Sequence, residues 1–110
     1  MSTYAAPIRD MKFVVKELVG LDDIAGLPGC EDLTPDVVDA VLEEAGKFAT
    51  GVLDPLNRTG DASGAQLNNN VVTTAAGFAD AFRQFSQGGW TGLNCDPQYG
   101  GQGLPHILSA

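Results

Sequence analysis

The stretch from Thr34 to Leu53, TPDVVDAVLEEAGKFATGVL, decides the fold class of this chain. Val38, Val41, Leu42, Ala45, Phe48, Ala49, Val52 and Leu53 recur at the spacing of one face of an α-helix, for about five turns. Its start is equally well marked. Thr34 can accept from a first-turn amide, Pro35 pre-sets the backbone of the first helical position, and Asp36 complements the helix dipole. Gly46 and Gly51 each lower helix propensity by up to about 1 kcal/mol relative to alanine, so packing against neighbours must carry the element. Pro55 lacks an amide donor and crowds the preceding turn. The helix is therefore expected to kink or end near Asp54, with Asn57 to Gly60 leading into a loop.

Outward toward the C-terminus, Ala65 to Thr74 reads AQLNNNVVTT, with β-prone residues on both sides of Asn68-Asn69-Asn70. Asparagine tolerates left-handed backbone, so a small hairpin is expected. Thr74 is placed to cap another helix, whose stripe of Phe78, Ala81, Phe82 and Phe85 is expected to face a core before Gly88-Gly89 end it. Outward toward the N-terminus, Leu21 to Leu33 carries Gly26, Pro28 and Gly29 without a sustained period and is expected to be a loop. Before it, Met11, Val14, Val15, Leu18 and Val19 mark the apolar face of a helix from Ile8 to Val19 that Gly20 should end. Lys12, Lys16 and Glu17 fill its outer face, and Phe13 falls off the stripe toward a second surface. The fold expected is mainly α: an incomplete helical bundle of three to four helices with a small β-hairpin near residues 65–74.

Composition narrows the classes of function. With 44% hydrophobic and 18% charged residues the chain has the balance of a folded protein rather than a disordered one. Fourteen acidic against six basic residues give a net charge of −8, spread along the chain, which opposes binding to nucleic acid or to anionic membrane surfaces. The N-terminus, MSTYAAPIRDMKF, has no apolar leader core, and no apolar run approaches bilayer length, so a cytoplasmic location is expected. Cys30 and Cys95 are far apart with no second pair and read as reduced thiols. Asn57-Arg58-Thr59 matches a glycosylation acceptor only by chance in that setting.

A search for chemistry leaves little. His106 is the one histidine, so a histidine-rich metal site is excluded and no metal ligand set is expected. Asp22-Asp23 and Glu43-Glu44 are sequence neighbours, which diverge on a helix rather than converge on a substrate. No serine sits in a GxSxG elbow. Gly101-Gln102-Gly103 is followed by Leu104 and Pro105, which fits neither a phosphate-binding P-loop nor a dinucleotide fingerprint. No catalytic, cofactor-binding or metal-binding residue is assigned in this chain.

The densest turn chemistry lies from Gly88 to Pro105, GGWTGLNCDPQYGGQGLP, where Asp96-Pro97 fixes a turn between two glycine groups. After Pro105 a helix opens and runs little more than one turn to Ala110, from which the chain is expected to be a piece of something longer. The combination Gly89, Trp90, Gly92, Leu93, Asp96, Pro97, Tyr99, Gly100, Gly101, Gly103, Leu104 and Pro105, set after helices and before another, resembles the N-terminal helical domain of the acyl-CoA dehydrogenases. FATGVLDPLNRTGD, Phe48 to Asp61, resembles that family's helix with a proline near its end. YAAPIRDMKFVVKEL and VVTTAAGFADAFRQF are similar to its 3-methylmercaptopropionyl-CoA dehydrogenase-like subgroup.

That resemblance covers nearly the whole chain. It implies that residues 1–110 are an N-terminal helical domain, without the FAD-binding β-domain and the C-terminal helical domain of a complete enzyme. It also implies FAD in the parent and none in this piece, an acyl-CoA substrate, the remaining domains as partners, and a homo-oligomeric parent. Trp90, Gly92, Asp96, Pro97, Tyr99, Gly100, Gly101, Gly103, Leu104 and Pro105 would form the family-motif loop near the substrate pocket. The alternative from another class is a free-standing acidic helical interaction module. The two differ in one checkable respect: a domain taken from a larger enzyme should expose a contiguous apolar surface.

Overall fold

The computed structural model describes residues 3–110, so the leader-free reading of the N-terminus falls partly on Met1 and Ser2, outside the described residues. Three helical segments and a hairpin make up the fold. The first segment runs through α1 (Ile8–Phe13), a π-helical stretch (Val14–Gly20) and α2 (Leu21–Ala25). The second comprises α3 (Pro35–Phe48), another π-helical stretch (Ala49–Leu53) and α4 (Asp54–Ser63). Strands β1 (Gln66–Asn68) and β2 (Val71–Thr73) follow, then α5 (Phe78–Gln87) and three short 3₁₀ turns at Trp90–Gly92, Pro97–Tyr99 and His106–Leu108. The chain is mainly α with one small antiparallel hairpin, as expected.

The start of α3 forms as its sequence dictates. Thr34 Oγ1 accepts from the Val37 amide at 3.2 Å and Pro35 occupies the first turn. The end does not. The helix continues through Pro55 to Ser63, so the loop expected at Asn57 to Gly60 is helical instead. The π-helical turn immediately before it provides the reason: a wider turn displaces the carbonyls that the proline ring would otherwise strike, and Pro55 then sits in the first turn of α4, where its missing N–H costs little. Asn57-Arg58-Thr59 is therefore helical.

Four further expectations are corrected. Leu21–Ala25 is helical rather than loop, because Gly20 takes a left-handed φ of 89° and redirects the chain instead of ending the helix outright. Thr74 does not cap α5, which starts four residues later at Phe78, after Gly77 at φ 87°. The stripe assigned to the first helix mostly faces outward: Val15 is buried, while Met11, Val14 and Val19 are exposed and Leu18 is 73% exposed. The helical start after Pro105 is a single 3₁₀ turn. The hairpin closes through Asn69 and Asn70, both at positive φ, with Leu67 opposite Val72 and Asn68 opposite Val71.

One buried cluster joins Val15, Leu21, Leu33, Val38, Leu93 and Leu108, with Ile24, Val41, Leu42, Trp90, Leu104 and Ile107 packed around it. Val38 on α3 is at its centre with no exposed surface. The molecule is flat and extended, 53 × 35 × 17 Å, with a radius of gyration of 17.0 Å. A compact domain of this length would have about 13 Å. Many apolar side chains accordingly remain in solvent, among them Phe13, Leu18, Leu67, Val72 and Phe82. Thr34→Ala should lower unfolding stability by about 1 kcal/mol through loss of the α3 cap, read from the urea midpoint at unchanged slope.

Candidate functional site: the glycine-rich loop and the aromatic groove

From Gly88 to Pro105 the backbone folds back on itself. The Gln102 amide donates to Gly92 O at 2.9 Å, Gly103 to Cys95 O at 2.9 Å, Leu104 to Leu93 O at 3.0 Å and Gly101 to Asp96 O at 3.1 Å. Asp96 Oδ1 accepts from the Gln98 amide at 2.8 Å and caps the Pro97–Tyr99 turn, and Gln102 Nε2 donates to Gly89 O at 3.2 Å. Two conditions make this possible. Gly89, Gly100 and Gly103 hold positive φ, and at Gly101 a Cβ would overlap the Cys95 carbonyl. The ladder turns Trp90, Leu93, Leu104 and Leu108 inward onto α3, while Tyr99 is 82% exposed.

Of the family-motif loop residues, Trp90, Gly92, Gly101, Gly103, Leu104 and Pro105 are half-buried, and Asp96, Pro97, Tyr99 and Gly100 lie on the surface. They form one loop but not one pocket. Its amide donors at Gly101, Gln102, Gly103 and Leu104 are already used on the chain's own carbonyls. No lysine or arginine occurs from Gly88 to Pro105, so the loop offers no cationic side chain to an anion. His106 Nδ1 lies 3.3 Å from Asn94 Nδ2 and 3.1 Å from Ser109 Oγ, tying the last turn to the loop.

An aromatic-lined cavity lies elsewhere and was not foreseen from the sequence. A groove of about 550 Å³ runs between the π-helical turn with α4 and helix α5, lined by Tyr4, Leu53, Leu56, Phe78, Phe82 and Phe85, with Asp54 and Asn57 at its polar edge. Two close approaches shape it. The Phe78 ring lies 2.5 Å from where a Cβ of Gly60 would be, and the Phe85 ring meets Phe48 at 6.0 Å between centroids. The α5 stripe is thus only partly core: Ala81 is buried and Phe85 half-buried, but Phe82 is 65% exposed at the groove. The aromatic spacing was the available signal; the continuation of α4 past Pro55, which supplies the opposite wall, was not legible.

The resolved electrostatic shifts belong to surface ion pairs and a turn. Among the described residues no cluster of three metal-ligating side chains occurs, and Cys30 and Cys95 are free thiols. The Lys16 ammonium beside Asp39 holds that carboxyl below the usual aspartate range, and the Gly29 amide does the same for Glu31. Hydrogen bonds to Glu43 and Glu44 raise Lys12 and Lys47 above the usual lysine range. All four shifts move away from neutrality, the opposite of what a general acid or base needs. By linkage, the contribution of Asp39 is present above its ordinary pKa and lost as pH falls through the lowered folded value. That of Lys12 is lost only as pH rises through its raised value, so both persist across the neutral range. No described helix is long and apolar enough to cross a membrane.

No family model matches this chain. It is similar to 3-methylmercaptopropionyl-CoA dehydrogenase of Ruegeria pomeroyi, 35% identical over 108 residues, which is 98% of this chain and 18% of that protein. The likeness to the acyl-CoA dehydrogenases read from the sequence is borne out over nearly the full chain, and the match is consistent with a fragment of such an enzyme. Gly101→Ala should open the loop ladder and lower the melting temperature by several degrees, on the order of 2 kcal/mol, with a red shift of Trp90 emission. Gly51→Ala, where nothing lies within 4 Å of the added methyl, should not destabilise the chain.

Proposed function

We propose that this chain is the N-terminal helical domain of an FAD-dependent acyl-CoA dehydrogenase, serving as scaffold and as part of the wall of its substrate and flavin pocket. The carrying observation is the 35% identity along 98% of the chain. The exposed apolar surface supports it: a flat body with Phe82, Leu67 and Leu18 in solvent is suited to packing against further structure. A free-standing acidic interaction module would have less reason to leave so much of its apolar surface open.

In such an enzyme a carboxylate removes the α-proton of an acyl thioester, and the flavin, when bound, accepts the β-hydride. This chain's residues do not fit either task. The loop amides are committed internally, no basic side chain accompanies them, and no carboxylate with a resolved shift has a raised pKa. The base and the flavin contacts are therefore assigned to the other domains. What this chain contributes is shape: an aromatic groove with Asp54 and Asn57 at its edge, and a rigid loop carrying Trp90 and Leu104. The same reading gives the parent an acyl-CoA substrate, a cytoplasmic location and a homo-oligomeric state.

Purified chain mixed with FAD and an acyl-CoA should retain no flavin colour and reduce no electron-acceptor dye. A longer native product carrying the remaining domains should do both. Turnover by the 110-residue chain alone would overturn its assignment as a silent domain, and a colourless longer product would overturn the flavoenzyme reading.

A further inference from the structure

The way the N-terminal segment is held is unlike the rest of the fold. Ile8, Lys12, Val15 and Lys16, spaced i, i+4, i+7 and i+8, form the side of the segment that meets α3. Two of these four are lysines. Lys12 Nζ donates to Glu43 Oε1 at 2.6 Å and lies 3.8 Å from Asp39 Oδ1, and Lys16 Nζ lies 2.6 Å from the same oxygen. Asp39 Oδ1 is sealed from solvent, and its partners are these two ammonium groups, as ion pairs rather than as well-aligned hydrogen bonds. Lys12, Lys16 and Asp39 are each about two-thirds or more covered, with side chains 25%, 28% and 34% exposed, whereas Glu43 is exposed, as are both members of Lys47–Glu44 and Arg83–Asp80.

Apolar attachment of the same segment is thin. Val15 is its one buried side chain, Ile8 rests on Gly46 at the far end, and Met11, Phe13, Val14, Leu18 and Val19 face solvent. Tyr4 adds two long contacts of 3.4 Å, to Asp54 and Thr50. From Val14 to Gly20 the segment is π-helical, a rare geometry for so many residues, and it ends at Gly20, whose φ of 89° is a left-handed conformation that breaks the helix axis.

We propose that residues 8–20 form an ionic latch, an arm pivoting at Gly20 that the Lys12–Asp39–Lys16–Glu43 network holds against α3 and that opens ahead of the rest of the fold when those charges are screened. Isolated surface pairs are worth little, but a shared, solvent-sealed carboxylate oxygen between two ammonium groups couples three side chains into one on–off contact. The arm is then the low-stability unit of the domain, and ionic strength sets its opening.

Amide hydrogen exchange on the 110-residue chain tests this. Going from roughly 0.01 M salt, with a Debye length of about 30 Å, to 1 M, where it is about 3 Å, should speed exchange in residues 8–20 by about fivefold or more while 35–48 changes little. Asp39→Asn should give the open-arm pattern already at low salt, and Glu44→Gln, which breaks only the open surface pair, should not. Equal protection of the arm at both salts, or loss in parallel with 35–48, would overturn the latch. The salt series on the unaltered chain decides the matter even if Asp39→Asn fails to fold.

Discussion

The fold depends on burying Val38. That residue has no exposed surface, and the side chains around it come from every part of the chain that meets α3: Val15 and Leu21 from the N-terminal segment, Leu33 from the entry to α3, Leu93 and Leu108 from the C-terminal loop. None of these elements could make a core by itself. At about 25 cal/mol per Å² of apolar surface removed from water, a cluster this small stabilises modestly, so each supplier matters. The glycine-rich loop is therefore part of the core's construction. Its ladder must close before Leu93 and Leu104 can reach α3, and closure needs a residue without a Cβ at Gly101.

Away from that cluster a second, looser region is organised by one long helical axis. Because a π-helical turn precedes Pro55, α4 continues the line of α3 and presents Leu56 and Gly60 to α5. Gly60 lets the Phe78 ring come against the α4 backbone, and Phe48 supports Phe85. Between them the helices leave an open aromatic groove rather than a closed interior. The domain thus has a tighter end, where Leu21, Leu33 and the glycine-rich loop's Leu93 and Leu108 meet Val38, and an open end whose apolar walls are shared with solvent.

Much of this was legible in the residues. The i, i+3, i+4 spacing and the Thr34-Pro35 start announced α3, and the run Asn68-Asn69-Asn70 announced the hairpin turn. The glycine motif and the flanking segments pointed to the acyl-CoA dehydrogenases, and the similarity along 98% of the chain agrees. The groove was half visible: its aromatic stripe was read, but as core. Pro55 misled because its effect depends on the turn before it, and a one-residue rule cannot register a π-bulge that displaces the opposing carbonyls.

Sequence by itself determined the helical class, the hairpin, the turn-dense loop and the family likeness, because each follows from local periodicity, backbone preference or residue identity at fixed spacing. Tertiary structure alone decided which faces are buried. The segment at 8–20 carries a good apolar stripe, yet Lys12 and Lys16 face α3 because Asp39 and Glu43 stand there, and most of the stripe faces outward. Periodicity reports that a helix has two faces; only the charges and cavities of its neighbours decide which one is turned inward.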